Sequence, residues 1–411
     1  MEMGPILIVD PSPGPAAALG AWMRTGSAHE PRELAGVTHL LEHLLLRRSG
    51  GRGPEEIAEL IDSLGGAIDA FTTRETCAIT AHVPAQRAAE ALDLVLGALF
   101  DPRFTASDVE LEQHVIEAEF DLVQDSPAEV AAERALEACW GEHPLARPVL
   151  GALPVVKRLA LPELKRFHAE RFTRDRLLLV AVGAFDESRL RESLSRYPST
   201  AEREVALVPP PWRTGMLVER RDGLEQIYAN LVLPGLPSDH PDGMTLGVLH
   251  QLLGAGNSSR LFRELRDRLG LVYEVESSLF STENAGLLEV VFSCPLRQAL
   301  PCWDAVLRVL GEIAAGGITD REVSLAKQAL AAGLVLSTEG VDAVMEAHAG
   351  EYLARKRRFD TGALLAELEA VTAGRVRALS RELVRLDLLA GAVCGPREGM
   401  VLPASLARRV A

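Results

Sequence analysis

Polar and apolar positions along the chain fall into two alternating rhythms. Residues 17–27 (AALGAWMRTGS), 66–84 (GAIDAFTTRETCAITAHVP) and 177–186 (LLLVAVGAFD) are rich in β-branched, aromatic and short apolar residues, with alternation or continuous apolar runs, and predict strands. Residues 54–65 (PEEIAELIDSLG), 85–100 (AQRAAEALDLVLGALF) and 106–125 (ASDVELEQHVIEAEFDLVQD) repeat their apolar positions every three to four residues and predict amphipathic helices. Interleaved strands and helices leave α+β and α/β open as fold classes.

Between 198 and 215 the rhythm stops. Pro209 to Pro211 forbid helix and favour an extended connector, so residues 201–213 are expected to link a first domain, 1–200, to a second, 214–411. The second half repeats the grammar of the first. ELIDSLG at 59–65 and ELRDRLG at 264–270 share five positions, and each is followed by a β-rich run ending in proline, CAITAHVP and LLEVVFSCP. An internal duplication is expected.

Composition narrows the function. A chain of 411 residues with 47% hydrophobic and 25% charged positions supports two ordinary cores. A formal charge of −15 opposes binding to a phosphate backbone, so nucleic acid is not an expected partner. The five cysteines are scattered and never form a Cys-x-x-Cys pair, which argues against a disulfide framework or thiolate metal site. The start, MEMGPILIVDPSPGP, lacks a signal-peptide pattern, and no apolar run is long enough to span a bilayer; a cytoplasmic location away from membranes is expected.

The chemistry concentrates in AGVTHLLEHLLLRRSGGR, residues 35–52. At helical spacing His39, Glu42 and His43 project from one face among Leu40, Leu41, Leu44 and Leu45. Two imidazoles at i and i+4 can grip one tetrahedral zinc, and the adjacent carboxylate can act on a metal-bound water. A helix with two histidines that never meet a metal is the plainer alternative, and a third ligand on another element would decide. The acidic helix 106–125 offers Glu112 and Glu119 seven residues apart on nearly one face, although acidity alone describes a solvated surface equally well.

GVTHLLEHLLL, PEEIAELIDSLGGAIDAFTTRETCAI, LEQHVIEAEF, HPLARPVLG and NSSRLFRELRDRLGLVYEV together resemble the pitrilysin or insulinase family of zinc metallopeptidases, which includes the mitochondrial processing peptidase. The likeness extends from about residue 5 to about residue 395. It implies an α+β protein of two related α/β-roll domains, each an antiparallel-rich mixed sheet packed with helices. By position it makes His39, His43 and Glu119 ligands of one zinc per chain, Glu42 the general base and Glu112 a partner orienting a ligand; Glu117 and His114 fall off the pattern. Arg266 and Tyr273 match substrate-contacting residues, with Arg suited to a carbonyl or oxyanion and Tyr to donating a hydrogen bond. The strand holding Asp69, Ala70 and Phe71 is expected to offer an edge to an extended peptide. Leu46-Arg47-Arg48-Ser49 and Asp69 depart from the family pattern, which touches substrate contacts rather than metal ligands.

The resemblance implies a zinc-dependent endopeptidase acting on peptides or short polypeptides enclosed in a chamber. Gap-free superposition of the halves places Met244, Gly247 and Val248 opposite His39, Glu42 and His43, so the second domain carries no second zinc. A two-fold homodimer is expected, because one chain supplies both the zinc residues and Arg266-Tyr273. The alternatives are the catalytic subunit of a heterodimeric processing peptidase and a non-catalytic structural or peptide-binding subunit.

Overall fold

In the computed structural model of the chain, which describes residues 5–199 and 207–408, the first half supplies five strands: β1 (Ile6–Asp10), β2 (Ala16–Met23), β3 (Ala67–Thr72), β4 (Cys77–Pro84) and β5 (Leu177–Val182). Its principal helices are α1 (Val37–Leu45), α2 (Pro54–Leu64), α3 (Ala88–Phe100), α4 (Ala106–Asp125) and α5 (Pro127–Trp140). The second half adds β6 (Gly215–Arg221), β7 (Gln226–Pro234), β8 (Val275–Ser281), β9 (Gly286–Pro295) and β10 (Ala390–Pro396). Residues 201–206 of the expected linker lie outside the described residues.

The two sheets have one topology. Strand order is β1-β5-β2-β4-β3 in the first and β6-β10-β7-β9-β8 in the second. In each, the edge pair joining the half's first and last strands is parallel and the other pairings are antiparallel. The architecture is thus α+β with two related mixed sheets, and the repeat hinted at by ELIDSLG and ELRDRLG extends to strand order and direction.

Each sheet needs cover on both faces, because its central strands are apolar on both. All six residues of β5 are buried, as are Ala17 to Met23 of β2. One face of the first sheet presents Leu19, Ala21, Ile79 and Ala81 to Leu40, Leu41 and Leu44 of α1 and to Leu92, Val95 and Leu99 of α3. The other presents Ala18, Trp22, Ala78, Leu178 and Val180 to Met345 and Ala349 of helix Val341–Arg355. Burying side chains such as Trp22 and Met345 is worth about 1.5–3 kcal/mol each.

Two compact units result. One comprises residues up to 121, 147–207 and 337–359; the other comprises 122–146, 208–336 and 360 onward. Helix Val341–Arg355 from the second half belongs to the first unit, while α5 from the first half packs on β6, β7 and β10 of the second. All five cysteines are buried and unpaired. Among the described residues no helix is long and apolar enough to cross a membrane.

The local starts and stops follow ordinary rules. Pro54 stands at the first position of α2, Glu56 closes back onto the Gly53 N–H at 2.8 Å, and Gly65 ends the helix in the left-handed region at φ 69°. The chain then turns directly into β3, which among the described residues is an edge strand paired with β4 alone. This brings Thr72 beneath α1, where its hydroxyl donates to Glu42 Oε2 at 3.3 Å.

Candidate metal centre

Helix α1 is nine residues long, and seven of them, Val37 to Leu41 plus Leu44 and Leu45, are buried. A helix buried on most of its circumference is set by its surroundings, and its first turn needs partners for its free N–H groups. Glu30 supplies them: Oε2 accepts from the Gly36 N–H and Oε1 from the Thr38 N–H, both at 2.7 Å. Gly36 adopts φ 99°, and a Cβ there would meet Val156 Cγ2 at 2.6 Å and the Leu150 carbonyl oxygen at 2.7 Å, so only glycine fits. Burial pushes the Glu30 carboxyl up to about 7, opposed by the two N–H groups and the nearby Arg147. His39 sits in this first turn.

Across from α1 lies α4. The Nε2 atoms of His39 and His43 both face the Glu119 carboxylate, at 3.6 Å from Oε2 and 3.5 Å from Oε1 respectively. Glu42 Oε2 lies 3.7 Å from His39 Nε2. His39, Glu42 and His43 each offer a ligand atom within 4.8 Å of the others, the one such His/Cys/Asp/Glu cluster among the described residues. Burial, then the neighbouring His43, lowers His39 to about 4, keeping its imidazole neutral and its lone pair available at neutral pH. Burial raises Glu42 to about 7, against the pull of His43.

A second layer fixes this set. His43 Nδ1 is 3.0 Å from Glu112 Oε2, and Glu112 Oε1 accepts from Arg47 Nη1 at 2.8 Å. A carboxylate accepts only, so His43 Nδ1 carries the hydrogen and Nε2 is the ring nitrogen that faces Glu119. Arg48 Nε donates to Asp108 Oδ2 at 2.8 Å, and Asp108 also accepts from the Thr105 N–H and hydroxyl. Although burial opposes ionisation, those bonds hold Asp108 down at about 2.

The donor set fits a zinc-sized cation. Two imidazole Nε2 atoms converge on one carboxylate at separations longer than hydrogen bonds, leaving room between them for ligand bonds of about 2.0–2.2 Å. Two imidazoles, one carboxylate and an adjacent second carboxylate are the ligand and base types such a cation requires.

The other expected residues are placed as follows. Glu117 turns away to pair with Lys157, and His114 is exposed. On β3, Ala70 and Thr72 face the core with Ile68, while Asp69 and Phe71 lie on the opposite, exposed side. In the second unit, Arg266 Cζ lies 5.3 Å from the Tyr273 ring centroid. Met244, Gly247 and Val248 fall in helix Gly243–Leu253, among core residues such as Leu246 and Leu249. Sequence reasoning missed Glu30, Arg47, Thr72 and Asp108. Only Arg47 carried a signal, as a departure from the family pattern four residues after His43.

Residues 6–153 match the family model described as Insulinase (Peptidase family M16), and residues 158–330 match that of the Peptidase M16 inactive domain. An uncharacterized zinc protease of Mycobacterium tuberculosis is 34% identical over 394 residues, spanning 93% of this chain and 88% of its own. The probable mitochondrial-processing peptidase subunit beta of Arabidopsis thaliana is 25% identical over 397 residues, 92% of this chain and 74% of that one. The crystal structure of a peptidase M16 inactive domain from Pseudomonas fluorescens shares the fold, with a TM-score of 0.86 at 19% identity over 96% of both chains. Fold and family models define a two-unit protein of the M16 type. With the mycobacterial identity, the chain belongs to the M16, or insulinase, family of zinc proteases.

Proposed function

We propose that this protein is a zinc-dependent endopeptidase in which His39, His43 and Glu119 hold one zinc per chain and Glu42 is the general base. The observation that carries the reading is the convergence of both imidazole Nε2 atoms on Glu119, with the Glu42 carboxylate beside them. When bound, zinc supplies Lewis acidity, making a water easier to deprotonate and a peptide carbonyl easier to attack.

Glu42 takes the proton of the attacking water and returns it to the leaving amine. Thr72 steadies Glu42 Oε2. Glu112 keeps the His43 ring in the tautomer that presents Nε2, and Arg47 keeps Glu112 in place. The free edge of β3, near Asp69, Ala70 and Phe71, receives the substrate as an added extended strand, giving affinity through backbone hydrogen bonds. Arg266 and Tyr273 hold the substrate carbonyl or developing oxyanion, in a chamber formed by two copies of the chain. The second reading, a catalytic subunit working with a different chain, is favoured by the similarity to a protein named as a processing-peptidase subunit.

The test is purified Glu42→Gln protein compared with wild type in zinc content and in cleavage of an internally quenched peptide library. Wild-type zinc with loss of nearly all cleavage is expected. Full turnover by the variant excludes Glu42 as base, and absence of zinc from wild type removes the reading altogether.

A further inference from the structure

Arg266 belongs to a π-helical segment, Phe262–Arg268, that runs through an arginine-rich stretch. Three arginines around it, Arg260, Arg268 and Arg308, are paired with carboxylates. Arg268 Nε donates to Glu264 Oε2 at 2.6 Å, Arg308 pairs with the same Glu264, and Arg260 Nε donates to Glu322 Oε1 at 2.6 Å. Arg266 is held differently. Among the described residues its guanidinium has no carboxylate partner; Cζ instead lies over the Phe262 ring, 4.7 Å from the centroid, and over the Tyr273 ring at 5.3 Å.

The backbone builds this arrangement. Phe262 precedes Arg266 by four residues, so the two share a face of the wide helical turn. The segment then stops: the Leu269 N–H donates to the Glu264 carbonyl, and Gly270 takes φ 60°, turning the chain back so that exposed Tyr273 arrives at the same guanidinium. Phe262 is half-buried.

The two ways of holding an arginine have different chemical consequences. An ion pair occupies N–H donors and cancels the charge, so a substrate carbonyl must compete with a carboxylate. Ring faces attract the cation electrostatically but take no strong hydrogen bond, leaving the five N–H donors for an incoming acceptor.

We propose that Phe262 is a positioning residue that, with the Tyr273 ring, holds Arg266 with its donors free for a peptide-backbone carbonyl. This rests on the reading of Arg266 as a substrate contact. It gives Tyr273 two separable parts: the ring that holds Arg266 and the hydroxyl that meets substrate.

The experiment uses full-length zinc-loaded enzyme and the best-cleaved member of an internally quenched peptide library. Phe262→Leu is expected to lower kcat/KM roughly five- to tenfold, a loss of the size expected for a cation–π contact. Phe262→Tyr and Phe262→Trp should restore most of it, and adding Phe262→Leu to Arg266→Ala should cost nothing further. A general packing role predicts instead an equal loss in both backgrounds, which overturns the proposal, as does an Phe262→Leu enzyme within twofold of wild type or a failure of the aromatic replacements to restore activity. Wild-type kcat/KM in Arg266→Ala would instead remove the reading of Arg266 as a substrate contact. A measurement on unaltered Phe262 covers the case of a misfolding variant. The Arg266 Nε–Hε resonance, assigned by its disappearance in Arg266→Lys, should be ring-current shifted upfield of the other arginines; an unshifted resonance rejects the clamp whatever the kinetics.

Discussion

Glu112 and His43 are joined at 3.0 Å across 69 residues of sequence, and the same carboxylate is tied through its other oxygen to Arg47, four residues after His43 and just past the end of α1. Glu112 thus fixes the ring of a proposed ligand and is itself held by the turn that follows the ligand's helix.

Cutting that chain at Arg47 should weaken the metal site without removing a ligand. Arg47→Met retains apolar length but leaves Glu112 without its cationic partner. Zinc affinity, measured by chelator competition, is expected to fall about 10- to 100-fold. Wild-type affinity would show that Glu112 needs no anchor.

His39→Ala and His43→Ala should each leave the purified chain nearly free of zinc, and Glu119→Gln should weaken binding by a smaller margin because an amide oxygen remains a poor ligand. Elemental analysis decides between this and coordination elsewhere, which full zinc in both histidine variants would require.

The raised Glu42 carboxyl has a pH signature in metal-free protein. A carboxyl whose value rises on folding, here from 4.5 to about 7, contributes stability that is complete below pH 4.5 and lost as pH climbs through 7, because the unfolded chain releases its proton first. With chelator present near pH 8, Glu42→Gln should therefore be more stable than wild type by about 1–3 kcal/mol, and the difference should close near pH 4.5. Urea unfolding at the two pH values measures it; equal stabilities at the higher pH contradict a strongly raised carboxyl.

Glu30→Ala should orphan the two buried N–H groups of Gly36 and Thr38 and destabilise the protein by about 1–3 kcal/mol. Because His39 lies one residue beyond Thr38, zinc affinity should fall as well. Chemical denaturation and chelator competition on one preparation report both, and a variant unchanged in each would remove Glu30 as the anchor of α1.

Complementation tests the proposed shared chamber. Mixing inactive Glu42→Gln with the impaired but measurable Arg266→Ala should raise activity above that of Arg266→Ala alone once subunits exchange, because one site then has both residues intact. Demonstrated exchange without recovery leaves a site completed within one chain or by a different partner.

The i, i+3, i+4 spacing of His39, Glu42 and His43 was sufficient to place three groups on one helical face, since helix geometry is local and needs no knowledge of the fold. The same holds for the strand rhythm of β2 and β5, and for the duplication carried by ELIDSLG and ELRDRLG. Long-range packing decided the rest. Spacing alone could not say that Glu119 faces both imidazoles while Glu112 turns to His43 and Glu117 to Lys157, because those roles depend on how α4 is rotated and docked against α1. Nor does a glutamate six residues before Gly36 announce itself as a helix cap: the cap exists only once the intervening chain folds Glu30 back under α1. The exchange of α5 and helix Val341–Arg355 between sequence halves has the same origin. Each sheet is apolar on both faces and its own half covers one, so burial of the second face is completed by whichever amphipathic helix the tertiary fold delivers, wherever that helix stands in the chain.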